Sequence, residues 1–141
     1  MKFNKRIILV SCFLSLVGGL AAFFYHRLRT VAMKACVYSL EAPIRDYFVH
    51  APPAVTGEWT KLPSDISGAV VSKTVRSGKT DCGTFASMLD GRDYWSNPVQ
   101  IEVLNPGNAE NLLVRISSYG PNGKQGSGDD IIVESIRPSG K

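Results

Sequence analysis

From Ile7 to Tyr25 the chain reads I-I-L-V-S-C-F-L-S-L-V-G-G-L-A-A-F-F-Y, about 19 residues without a single charge. At 1.5 Å of rise per residue a helix of that length nearly matches the ~30 Å of hydrocarbon in a bilayer. Whatever follows must therefore fold beside a membrane or after passage through one. Lys2, Lys5 and Arg6 form a basic flank ahead of the run, and Gly19-Leu20-Ala21 ends on small residues, so a cleaved secretory signal fits the same stretch. A signal core usually extends only ~7–15 residues, and the greater length here favours a retained single-pass anchor.

The formal charge of +4 is unevenly placed. Up to Leu40 the chain carries Lys2, Lys5, Arg6, Arg27, Arg29 and Lys34 and no acid, whereas from Glu41 onward ten basic residues face twelve acidic ones. The basic character thus belongs to the membrane flanks. The globular part offers no basic groove for nucleic acid. Basic residues on both sides of the apolar run also leave the orientation undecided by charge.

Beyond Tyr25, Met33, Val37, Leu40, Ile44, Tyr47 and Phe48 fall on one side of a continuing helix, with Lys34, Ser39, Glu41, Arg45 and Asp46 on the other. Pro43 predicts a kink or break, because it removes a backbone donor and presses on the preceding turn. Pro52-Pro53 ends the helix, and Ala54–Ser64 reads as an irregular connection. Further on, Ile66–Val75, centred on Val70-Val71, reads as strand-like, and Thr84–Leu89 as a short second element. Alternation of Val99, Ile101 and Val103, then of Leu112, Val114 and Ile116, around Asn105-Pro106-Gly107-Asn108 predicts an antiparallel hairpin. Ile131–Ile136 supplies a last strand. The expected architecture is α+β: a long N-terminal helix on an antiparallel sheet of three or four strands, with the anchor at residues 1–25 and one domain at 26–141.

Catalytic constellations are thin. His26 lies at the end of the apolar run and His50 beside two prolines, and no nucleophile, base and orienting group can be nominated together. Ser77-Gly78-Lys79-Thr80 lacks the glycine that a phosphate loop needs, because Lys73 stands in its place. No enzymatic activity and no small-molecule substrate are expected. Of the three cysteines, Cys12 lies inside the apolar run, while Cys36 and Cys82 are placed either to pair outside the cytoplasm or to stay buried as free thiols.

Two motifs flank the predicted hairpin. Asp93-Tyr94-Trp95-Ser96-Asn97-Pro98 precedes it, and Ser117-Ser118-Tyr119-Gly120-Pro121-Asn122-Gly123 opens a glycine-rich loop after it. The box reads as structural, with Trp95 as a core plug and Asp93 and Asn97 turning the backbone around it. In order and spacing this region resembles the major pseudopilins of bacterial type II secretion, the general secretion pathway protein G family. Asp93, Trp95, Asn97 and Pro98 match the family's first box, and Ser118, Gly120 and Gly123 its second motif. Tyr94 stands where the family has proline, Ser96 where it has glycine, and Asn122 where it has aspartate. The family's N-terminal pattern is absent: Gly18 and Gly19 lie within the apolar run, and Glu41 is the first acid.

The loop Tyr119–Asp130 is rich in oxygen donors and in glycines that let carbonyls turn inward, a composition suited to the ~6–8 oxygen ligands of Ca²⁺ or equally to a solvated turn. The resemblance implies a structural Ca²⁺ there, with side-chain ligands from Asn122 and from Asp129 or Asp130 and the carbonyl of Tyr119. It implies a pilin-like fold, a single-pass position in the bacterial inner membrane with the domain in the periplasm, and partners among copies of the chain or other secretion subunits. The function expected is structural: a component of a type II secretion or related pilus system. The alternative is a stand-alone anchored or secreted binding module that reuses the same domain.

Overall fold

In the computed structural model, residues 5–50, 59–105 and 111–135 are described. The first helix, α1, runs Lys5–His50, and the chain divides into two compact units, Met1–Ala32 and Met33–Lys141. Within the first unit the described large apolar side chains are exposed, among them Phe13, Leu14, Leu16, Leu20 and Phe24. A helix apolar on every face belongs in lipid, and α1 is long and apolar enough to cross a membrane.

In the second unit α1 buries Met33, Cys36, Val37, Leu40, Ile44 and Phe48, close to the stripe expected from its 3.6-residue period, while Tyr47 is only half-buried. Of the kink or break expected at Pro43, the break is absent: the helix runs through the proline without interruption. One lost donor is a local cost, and the burial of Leu40, Ile44 and Phe48 on either side offsets it.

Strand β1 (Thr60–Lys61) follows, inside the segment expected to be irregular. Next comes α2 (Ser64–Arg76), where a strand was expected. The β-branched pair Val70-Val71 suggested an extended chain, yet the buried set Ser67, Val70, Val71, Thr74 and Val75 recurs at three- and four-residue steps, which is a helical stripe. Asp65 in its first turn and Lys73 and Arg76 in its last complement the helix dipole. A 3₁₀ helix, Ala86–Asp90, accounts for the short element expected at Thr84–Leu89 and stops at Gly91, which has φ +70°. A Cβ on Gly91 would lie 2.3 Å from the Cα of Gly68, so α2 and this turn meet backbone to backbone.

The hairpin forms as expected. Strands β2 (Gln100–Leu104) and β3 (Leu113–Ser118) pair antiparallel with Ile101 opposite Ile116 and Val103 opposite Val114. Asn105 turns out of β2 at φ +54°, and the rest of the expected turn lies outside the described residues. Strand β4 (Ile131–Glu134) adds to β3, giving a four-stranded antiparallel sheet in the order β1-β2-β3-β4. Val99, Ile101, Val103, Leu112, Val114, Ile116, Ile131 and Val133 share one core with the buried side of α1. The layout is therefore α+β. Cys36 and Cys82 form a disulfide that ties α1 to the segment after α2, and Cys12 is free.

Candidate functional site

The box and the glycine-rich loop meet in space. Asp93 is fully buried, and its Oδ1 accepts hydrogen bonds from the backbone N–H groups of Trp95 at 2.9 Å and Asn97 at 2.8 Å. The carboxyl group thus closes the turn, as expected of it. Its Oδ2 accepts from the hydroxyl of Ser118 at 2.7 Å, across to the end of β3. Asn97 completes the junction by donating its Nδ2–H to the carbonyl of Gly120 at 2.7 Å. Trp95 is not the plug expected: it is half-buried, packs at the rim of the core and stacks edge-on against Tyr94 at 5.6 Å. Its turn is held by Asp93, which lets the indole lie along the surface of the core instead of filling it.

The loop after β3 folds on its own polar groups. Asn122 donates its Nδ2–H to Asp129 Oδ1 at 2.6 Å and its backbone N–H to Asp129 Oδ2 at 3.3 Å, while its Oδ1 accepts from Lys124 N at 2.7 Å. Asp130 accepts from Gly126 N at 2.6 Å and from the Ser127 hydroxyl at 2.9 Å. Hydrogen bonding by Ser127, and then by the backbone and side chain of Asn122, holds the Asp129 carboxyl below its ordinary range. Gly120, at φ +64°, takes a position where a Cβ would strike the Asp129 carbonyl at 2.5 Å.

Of the four residues expected to hold Ca²⁺, the structure brings Asn122 and Asp129 into direct contact and sets Asp130 in the same loop. The Tyr119 side chain turns elsewhere, its hydroxyl accepting from Lys61 Nζ at 3.2 Å. Among the described residues no group of three or more His, Cys, Asp or Glu forms a metal cluster. Two carboxylates, one amide oxygen and loop carbonyls remain a set that a hard cation prefers. The amide of Asn122 presents nitrogen, not oxygen, to Asp129, so an ion held between them requires that amide to turn over.

One cluster has no counterpart in the motifs. Arg115 on β3 bridges Glu102 on β2 at 2.8 Å and Glu134 on β4 at 3.0 Å, and its guanidinium stacks 4.2 Å from the ring centre of Trp59. Desolvation opposes its charge, but hydrogen bonds and attraction from both glutamates prevail and raise its pKa above the ordinary arginine value. The hairpin register places Arg115 directly opposite Glu102, and alternation along the two strands would have found that pair. Trp59 left no such signal.

No family model matches this chain, and neither does any curated protein or solved structure.

Proposed function

We propose that the chain is a membrane-anchored, pseudopilin-like structural component of a type II secretion or related pilus system, and that it works by packing against partner subunits and not by catalysis. The observation that carries this reading is the junction of the two motifs through Asp93–Ser118 and Asn97–Gly120. Residues that resemble the family's in sequence are the ones that bond to each other in space. A pilin-like fold agrees with the apolar first helix and the four-stranded antiparallel sheet. A periplasmic domain agrees with the Cys36–Cys82 disulfide, since such bonds persist in oxidising compartments. Calcium belongs to the proposal through Asn122, Asp129, Asp130 and the Tyr119 carbonyl. Millimolar Ca²⁺ should raise the melting temperature of the full chain in detergent, and Asp129→Ala with Asp130→Ala should remove the rise.

The absence of an acid before Glu41 favours a second reading, a stand-alone anchored module, because the family registers its subunits with an N-terminal glutamate. Crosslinking in intact cells separates the two. A ladder of chain multimers, or adducts with secretion subunits, is expected. Adducts confined to monomer with an unrelated protein would replace the assembly reading by the second one.

A further inference from the structure

Asn122-Gly123 is the one place in the sequence where asparagine precedes glycine. Asn97 and Asn105 precede prolines, and Asn4, Asn108 and Asn111 precede lysine, alanine and leucine. The backbone nitrogen that follows an asparagine can attack the side-chain amide carbon, an intramolecular step that closes a five-membered ring. A proline nitrogen has no proton to lose and a side chain on the following residue crowds the attack, whereas glycine leaves it open. The fold demands glycine at this position. Gly123 has φ +64°, and a Cβ there would lie 2.8 Å from Oδ1 of Asn97, the residue that ties the box to the Gly120 carbonyl. The junction of the two motifs therefore imposes the neighbour that makes Asn122 reactive. Asn122 and Gly123 are both exposed, so water reaches them.

In the closed loop the atoms of that reaction are engaged. Asn122 donates its Nδ2–H to Asp129 Oδ1 at 2.6 Å and its backbone N–H to Asp129 Oδ2 at 3.3 Å. Its Oδ1 accepts from Lys124 N at 2.7 Å and from the Ser127 hydroxyl at 3.3 Å. Gly123 N donates to the carbonyl of Gly120 at 3.3 Å. Ring closure requires the amide group to swing over its own peptide bond and Gly123 to give up its proton, and both acts sacrifice these bonds. Asp129 is the main restraint, because it holds Asn122 by side chain and by backbone, and bonds to a carboxylate are the stronger ones. All of these bonds join groups on exposed or half-buried residues at the loop, the kind of contact that opens locally without unfolding a domain.

We propose that Asn122 is a self-deamidation site latched by Asp129, protected while the two are bonded and reactive when the loop opens. Gly123 N gives its proton to a solvent base and bonds to Cγ of Asn122. The Cγ–Nδ2 bond breaks, and the departing nitrogen takes a proton from solvent and leaves as ammonia. Water then opens the ring: attack at Cγ gives aspartate at position 122, and attack at the main-chain carbonyl carbon gives isoaspartate, with the chain running through the former side chain. Neither step needs an oxidant or a reductant. Either product carries a carboxylate in place of the N–H donor that met Asp129, and two like charges do not re-form that contact. The change therefore runs one way, from a loop closed on itself to an open one with an added negative charge. The inference is independent of the assembly reading and of calcium.

The test is ageing of the purified full chain in detergent micelles at mildly alkaline pH, with chelator present, followed by mass spectrometry of the peptide that carries Asn122 and by isoaspartate analysis. A synthetic peptide of residues 118–131 sets the rate of the open loop. The full chain should deamidate at position 122, and more slowly than the peptide. Asp129→Ala should speed the reaction roughly tenfold, the effect of losing one hydrogen bond to a charged group. Asp130→Ala loosens the same loop through Gly126 and Ser127 without touching Asn122, and should speed it far less. Where Asp129→Ala does not fold, Asp129→Asn, which keeps the shape and drops the charge, takes its place with the same expectation. A position 122 that stays unmodified in both the parent and the Asp129 variant while the peptide reacts would overturn the proposal. So would a parent rate equal to that of the peptide, a rate unchanged by the Asp129 substitution, or equal acceleration by the Asp129 and Asp130 substitutions.

Discussion

Asp93 joins two stretches of chain: its carboxyl group takes up the N–H groups of Trp95 and Asn97 in its own turn and the hydroxyl of Ser118 at the end of β3, with no exposure of its own. Asp93→Ala leaves those donors buried without an acceptor, and each unmet donor costs ~1–3 kcal/mol. A total near ~3 kcal/mol lowers the melting temperature by roughly 12–24 °C. Trp95→Ala removes a half-buried ring and costs about 2 kcal/mol, less than a fully buried tryptophan. Calorimetry on the two variants should therefore rank Asp93→Ala as the more damaging, and the reverse order would return the organising role to the indole. Next to it, Ser96 holds φ +68°, a left-handed conformation that costs a side-chain residue ~1–2 kcal/mol. This is the position where the resembling family carries glycine. Ser96→Gly should raise stability by about 1 kcal/mol, and a loss instead would mean that the serine hydroxyl supplies a compensating bond. Asp129 belongs to the same scale. Its folded carboxyl titrates below the ordinary 3.8, so the stability it lends is present above that pH and disappears as pH falls through the lower folded value. An acid titration of loop order should show this loss below about pH 4, and Asp129→Asn should flatten it.

At the scale of elements, the hairpin and the last strand were legible in the sequence because each alternates with period two around a turn-forming stretch. The helix α2 was not, since local β-branching at Val70-Val71 outweighed a 3.6-residue stripe whose first member is the polar Ser67. That serine is buried because its hydroxyl accepts from Ile101 N at 3.3 Å, 34 residues away, a partnership formed only after folding. The candidate site divides the same way. The turn role of Asp93 follows from its own neighbours in sequence, whereas its bond to Ser118, 25 residues away, depends on the hairpin closing first. The cysteine pairing also needed coordinates, because it depends on α1 and the segment after α2 meeting. Closing a loop of 46 residues, the Cys36–Cys82 bond should contribute about 4 kcal/mol by restricting the unfolded chain. Cys36→Ser with Cys82→Ser should lower the melting temperature accordingly, and alkylation under denaturing, non-reducing conditions should label Cys12 alone in the parent chain. Labelling of all three cysteines would refute the pairing.

For the molecule as a whole, the apolar part of α1 and the α+β unit answer to different solvents, the first exposing its side chains all round and the second burying one shared core. The intact chain should remain with membranes through carbonate extraction. Release of full-length chain, or a mature N-terminus near Ala22, would show a cleaved signal in place of an anchor. The span between partners carries one more consequence, for synthesis. Glu41 on α1 accepts a hydrogen bond from Ser135, 94 residues further on, and the strand before that serine completes the sheet. At ~5–20 residues per second a ribosome needs roughly 5–20 s to cover that distance. During those seconds the apolar side of α1 that later meets the sheet has been made but has nothing to lie on. With the helix anchored as proposed, the lipid interface is the nearest apolar cover. On that reading the newborn domain begins as a membrane-associated helix, and folding lifts Met33, Leu40 and Ile44 away from lipid as the last strand arrives.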